Sequence, residues 1–122
     1  MKIAICASEV VPFAKTGGLA DVAGALPIAL EELKQEVIIV MPKYKMIQDA
    51  KFNIRKLKEG ISYATLGKNI KVYFIENAQY FQRDALYGDK NGDYPDNLNR
   101  FSYYLQIYIF YNKVTAIHLV LL

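Results

Sequence analysis

Apolar and polar positions along this chain alternate in two different rhythms. The opening run KIAICAS is almost continuously apolar, as a parallel strand covered on both faces requires. GGLADVAGALPIALEELK then places Leu19, Val22, Ala23, Leu26, Leu30 and Leu33 at helical spacing, an apolar stripe on one side of a helix. Pro27 falls inside that pattern, which predicts a break at Leu26 and a second helical segment starting at the proline. EVIIVMP (Glu36 to Pro42) reads as another buried strand, stopped by Pro42. Strand, glycine turn, helix and strand form a βαβ unit, which implies a parallel sheet with a right-handed crossover.

Further along, FNIRKL, ISYATL and IKVYFIE read as strands, with turns at Glu59-Gly60 and Gly67-Lys68-Asn69. YGDKNGDYPDN is a polar loop, and NRFSYYLQIYIFYNK reads as a helix. The expected class is α/β, a parallel sheet flanked by helices.

The 122 residues suffice for one domain with a real core and not for two of ordinary size. At 53% hydrophobic residues the chain is expected to be globular and not disordered. The formal charge of +3 is mild, with six bases between Lys43 and Lys58 opposed locally by Asp49 alone. That run is either a plain solvated face or, as a weaker alternative, a nucleic-acid face; no nucleic-acid partner is expected.

The single Cys6 excludes an internal disulfide and sits in an apolar strand, as a small core residue would. One cysteine and one histidine do not supply a zinc site. The start turns polar at Ser8 and Glu9, too early for a signal peptide. Gln106, Asn112, Lys113 and His118 break the apolar tail, so no membrane span and a cytoplasmic location are expected.

The stretch SEVVPFAKTGGLADVAGALP carries the candidate chemistry. In an open parallel sheet, ligands gather beyond the carboxyl ends of the strands, where this segment lies. Glycines there let the backbone approach a ligand, and the helix that follows offers N–H groups and a positive dipole end. Lys15 adds a full positive charge. The set suits a phosphate or diphosphate; the plainer reading is a glycine turn with a solvated lysine. The order is neither that of a P-loop nor G-x-G-x-x-G. DKNGDYPDNLNR starts like a calcium loop, but Tyr94 replaces the turn glycine and Arg100 the bidentate glutamate, so no metal is expected.

ASEVVPFAKTGGLADVAGALP resembles the N-terminal signature of bacterial glycogen synthases and plant starch synthases. VIIVMPKY is similar to that family's second strand and its exit. ENAQYFQRDALYGD and GDYPDNLNRFSYY resemble its later blocks in the same order, so the likeness runs from Met1 to Tyr104. It implies part of the N-terminal Rossmann-like domain of a two-domain GT-B glycosyltransferase, over residues 1–122, with the C-terminal nucleotide-binding domain not in this sequence. It also implies transfer of glucose from ADP-glucose to the non-reducing end of an α-1,4-glucan with retention, and no cofactor.

By this resemblance Lys15 contacts the donor phosphates, Gly17 and Gly18 give backbone contact, Asp21 lies near the same cleft, and Tyr87 reaches the donor side. Lys34 in LKQEV stands where the family has a left-handed capping glycine. After Tyr104 the likeness fades, as in an excerpt or after a frameshift. AIHLVLL aligns His118 with a non-catalytic histidine, so His118 reads as a core residue and no catalytic residue is expected here. The chain alone is then expected to be inactive. A non-catalytic glucan- or anion-binding module, with tyrosines stacking on sugar rings, is the alternative.

Overall fold

The computed structural model describes residues 1–111 and 118–122. In chain order the elements are β1 (Lys2–Cys6), α1 (Gly18–Glu32), β2 (Glu36–Pro42), α2 (Asp49–Phe52), β3 (Arg55–Lys58), β4 (Ile61–Leu66), β5 (Ile70–Ile75), α3 (Ala78–Phe81), β6 (Gly88–Asp89), β7 (Gly92–Asp93), α4 (Asn97–Tyr111) and β8 (His118–Leu121). Six strands form one sheet in the order β3-β4-β5-β2-β1-β8. β1 pairs in parallel with β2 and β8, and β2 with β5; β3 and β4 are added antiparallel. The mainly parallel α/β sheet anticipated from the apolar runs is therefore present.

Alternation along β1 splits the core. Ile3 and Ile5 face one side with Val37, where Leu26 and Leu30 of α1 cover them. Ala4 and Cys6 belong to the larger cluster on the other side, which takes in Phe74, Tyr44 and Phe81 and is covered by Phe101, Tyr103 and Tyr104 of α4. Helices thus flank both faces. Cys6 is fully buried, and burial pushes its thiol up to about 12, so it remains a protonated core residue.

Several expectations need correcting. α1 does not break at Leu26: it runs through Pro27 to Glu32. A proline there forfeits one backbone hydrogen bond, but Pro27 is buried and the flanking Leu26 and Leu30 pack on the sheet, which holds the segment straight on. The buried stripe of α1 is only partly the expected one: Ala23 is buried and Leu26 and Leu30 pack on the sheet as expected. Ala20, Ala23, Gly24 and Pro27 face inward, whereas Leu19, Val22 and Leu33 are exposed. Small residues win this face because the chain before the helix lies so close: a Cβ on Gly24 would stand 2.7 Å from the Val11 carbonyl oxygen. Finally, Phe52 ends a short helical turn instead of opening a strand. Asn53, at φ 53°, closes that turn in the left-handed region, and β3 starts at Arg55.

The turns at Glu59-Gly60 and Gly67–Asn69 are as expected, with Gly60 and Gly67 at positive φ. His118 is exposed on β8, which pairs only with β1 among the described residues, so it is not a core histidine. The expected helix and the AIHLVLL run extend into residues 112–117, which lie outside the described ones. Among the described residues no helix is long and apolar enough to cross a membrane.

Candidate functional site

The segment between β1 and α1 leaves the carboxyl end of an inner strand of the sheet, flanked by the exits of β2 and of the loop carrying Tyr87. It is pinned on both sides of Lys15. Before it, the Ala14 N–H donates to the Val10 carbonyl at 3.0 Å, closing a bridge between those two residues. After it, the Thr16 hydroxyl donates to Glu9, as does the Gly17 N–H at 3.1 Å. Lys15 itself is exposed, its ammonium 2.8 Å from an Asp21 carboxylate oxygen. Asp21 is exposed too, so solvent screening leaves this pair worth about 0–1 kcal/mol.

The two glycines are needed by nothing inside the chain. Gly17 has φ −163°, extended backbone open to any residue, and a Cβ built on either Gly17 or Gly18 meets no atom within 4 Å. Bare backbone at this point therefore faces open space. α1 has no capping side chain at its own N-cap. The Glu9 carboxylate fills that role, accepting from Gly17 N–H and from Ala20 N–H at 3.3 Å. The N–H groups of Gly18 and Leu19 meet no acceptor among the described residues. An anion arriving here would find those two amides and the Lys15 ammonium, but not the whole helix end.

Tyr87 joins the same cluster. Its hydroxyl lies 2.6 Å from Ser8 Oγ and donates to Glu9 Oε2 at 2.9 Å, while its ring packs on Phe101. Burial, and then the hydrogen bond to Glu9, pushes the phenol up to about 12, so it stays a neutral donor at physiological pH. From the exit of β2, the Tyr44 hydroxyl donates to the Ser8 carbonyl at 2.6 Å. Residues 15, 17, 18, 21 and 87 are thus gathered around one turn, with Ser8 and Glu9 at its base.

Glu9 is the residue that sequence reasoning passed over. It is 2% exposed and carries four hydrogen bonds. One signal was available. A helix opening on Gly-Gly has no side chain of its own to cap its amides, which makes a nearby acid such as Glu9 a candidate cap.

The polar loop is a folded structure. β6 and β7 pair around Lys90-Asn91, with Asp89 Oδ1 accepting from the Asn91 N–H. Arg83 holds Asp96 through two nitrogens, and Arg100 is wholly buried, donating to the Tyr80 and Leu86 carbonyls beneath the Tyr94 ring. Arg100 is thus a packing residue of that loop. In the basic run, Lys43, Lys45 and Lys56 pair with Asp49, Asp84 and Glu76, so at least three of its six cations are neutralised.

Residues 2–117 match the family model of the starch synthase catalytic domain. The glycogen synthase of Geotalea uraniireducens is 46% identical over 116 residues, which covers 85% of this chain and 24% of that protein. The glycogen synthase of Syntrophotalea carbinolica is 43% identical over the same length and coverage. The chain therefore spans about a quarter of the length of the curated relatives it matches. The solved catalytic domain of starch synthase IV from Arabidopsis thaliana, bound to ADP and acarbose, superposes with a TM-score of 0.73 at 27% identity. That match covers 97% of this chain and 27% of the other.

Proposed function

Because the chain belongs to the family of starch synthase catalytic domains, we propose that it forms one wall of a nucleotide-sugar site in a glycogen or starch synthase. The family is one of glycosyltransferases with the GT-B fold. On this reading residues 1–122 are part of the N-terminal domain, and a second domain supplies the opposite wall. The reaction of the whole protein is transfer of glucose from ADP-glucose to an α-1,4-glucan with retention.

One observation carries the reading. A lysine stands beside two glycines that neither torsion nor packing inside the chain requires, ahead of two free helix amides. As the bond from the anomeric carbon to the diphosphate breaks, negative charge builds on the departing ADP. Lys15 and the bare backbone at Gly18 offset that charge. Asp21, paired with Lys15, keeps the ammonium extended over the turn until a diphosphate competes for it. Tyr87 closes the donor side with its ring. The ADP held by the related starch synthase IV supports the choice of donor.

Calorimetric titration of the chain with ADP tests this. Binding that falls about tenfold or more in Lys15→Ala is the expected result. Equal affinity in both proteins sinks it, and retention on glycogen without any ADP binding would instead favour a glucan-binding module.

A further inference from the structure

The Glu9 carboxylate lies where three separate segments meet. Oε1 accepts from the Gly17 and Ala20 amides, which fixes the start of α1. Oε2 accepts from the Thr16 and Tyr87 hydroxyls, which fixes the residue after Lys15 and ties it to the loop some seventy residues on. The backbone behind Glu9 is fixed in turn. Tyr44 donates to the Ser8 carbonyl, and the neighbouring Val10 carbonyl accepts from both Phe13 and Ala14 N–H. A carboxylate buried without water is tolerated only when its lone pairs are met, and here both oxygens are doubly met.

We infer that Glu9 is the positioning residue of the donor turn: through Thr16, Gly17 and Tyr87 it holds Lys15 and the Gly18 amide in a single geometry. The inference rests on reading that turn as the donor site. It also assigns the helix end a division of labour. Glu9 takes the amides of Gly17 and Ala20 permanently, leaving the diphosphate Lys15 and the amides of Gly18 and Leu19.

The chemistry of the four contacts separates shape from charge. In Glu9→Gln the amide oxygen can keep both N–H donors. The new NH2 then faces two hydroxyls, and hydroxyls accept as readily as they donate; Tyr87 can turn its proton to Ser8 Oγ, 2.6 Å away. Glu9→Gln is therefore expected to preserve the turn, and Glu9→Ala to release it.

The test is ADP titration of the wild type, Lys15→Ala, Glu9→Ala, Glu9→Gln and the Glu9→Ala/Lys15→Ala double variant, each well below its melting temperature. Glu9→Ala is expected to bind about tenfold more weakly, Glu9→Gln within about twofold of wild type, and the double variant to lose less than the two single losses combined. A residue that merely capped α1 would lower the melting temperature and leave ADP affinity of the folded protein unchanged. That result for Glu9→Ala, with Lys15→Ala still impaired, overturns the inference and spares the donor-site reading. No loss in Lys15→Ala overturns both. Equal losses in Glu9→Gln and Glu9→Ala overturn the positioning role. Should Glu9→Ala not fold, Thr16→Val removes a single contact beside Lys15 and is expected to weaken ADP about threefold; no change there also overturns the inference.

Discussion

The Lys15 ammonium is held by both carboxylate oxygens of Asp21, at 2.9 and 2.8 Å, six residues along the chain. The first positive charge a diphosphate would meet is thus already paired, and the ligand must take it over or share it. Because both partners are exposed, breaking the pair should barely touch the fold. Lys15→Ala, Lys15→Arg and Asp21→Asn are each expected to stay within about 0.5 kcal/mol of wild-type stability in denaturant titrations. Their ADP affinities should differ widely. A charge-assisted contact is worth about 1.5–3 kcal/mol, so Lys15→Ala should lose roughly ten- to a hundredfold. Arginine keeps the charge with a different reach and should fall between. A large stability loss in Lys15→Ala would mean that the lysine serves the fold.

Gly24→Ala tests how closely α1 lies on the turn that precedes it. Alanine is ordinarily the better helix residue, by about 0.5–1 kcal/mol. Here its Cβ would meet the Val11 carbonyl oxygen at 2.7 Å and Val11 Cβ at 3.3 Å, and the first of these is backbone that cannot swing aside. The substitution is expected to destabilise by about 1–3 kcal/mol in chemical denaturation. A stabilised protein would show that the helix can shift outward at no cost.

Lys34 sits at φ 63°, just beyond α1. Its N–H donates to the Glu31 carbonyl at 2.9 Å, and the Gln35 N–H to the Leu30 carbonyl at 3.0 Å, the paired bonds of a Schellman turn. A side chain in the left-handed region is strained, and glycine is not. Lys34→Gly should therefore raise stability by about 0.5–1 kcal/mol, read as a higher melting temperature. A lower one would mean that the entropy lost by glycine on folding outweighs the relieved strain.

Lys34 shows what sequence could supply. Its position in LKQEV, where the family it resembles has a glycine, was enough to place a left-handed cap. The apolar runs of β1 and β2 were legible because each strand carries its own pattern. α1 was legible as a helical stretch and only in part in its buried face. Leu19, Val22 and Leu33 outweigh Ala20 and Gly24 in any hydrophobic tally, yet the close approach of Val11 leaves no room for a side chain at Gly24, and that approach is tertiary. Pro27 misled likewise, since packing from both flanks decides whether a helix survives a proline. At the site, Lys15, Gly17, Gly18 and Asp21 lie within seven residues and were found together. Glu9 was not, because its partners Thr16, Ala20 and Tyr87 converge on it only through the fold.

Glu9 also makes a prediction in pH. Burial alone would raise its carboxyl, but the hydrogen bonds from Thr16 and Tyr87, and from backbone amides, outweigh burial and lower it below the ordinary value of 4.5. A folded-state value below the unfolded one favours the folded state wherever the unfolded group is ionised. That contribution is complete above about pH 4.5 and is lost as the pH falls through the lowered folded value. Other acids also gain protons as the pH falls, among them Asp96, whose carboxyl Arg83 holds below its ordinary value, so the profile of the wild type alone does not isolate Glu9. The difference between wild type and Glu9→Gln can, because every other group cancels. Unfolding free energies measured for both from pH 7 to pH 3 should run parallel down to about pH 5 and converge below it. A gap that stays constant to pH 3 would mean that Glu9 is not the ionised cap of α1.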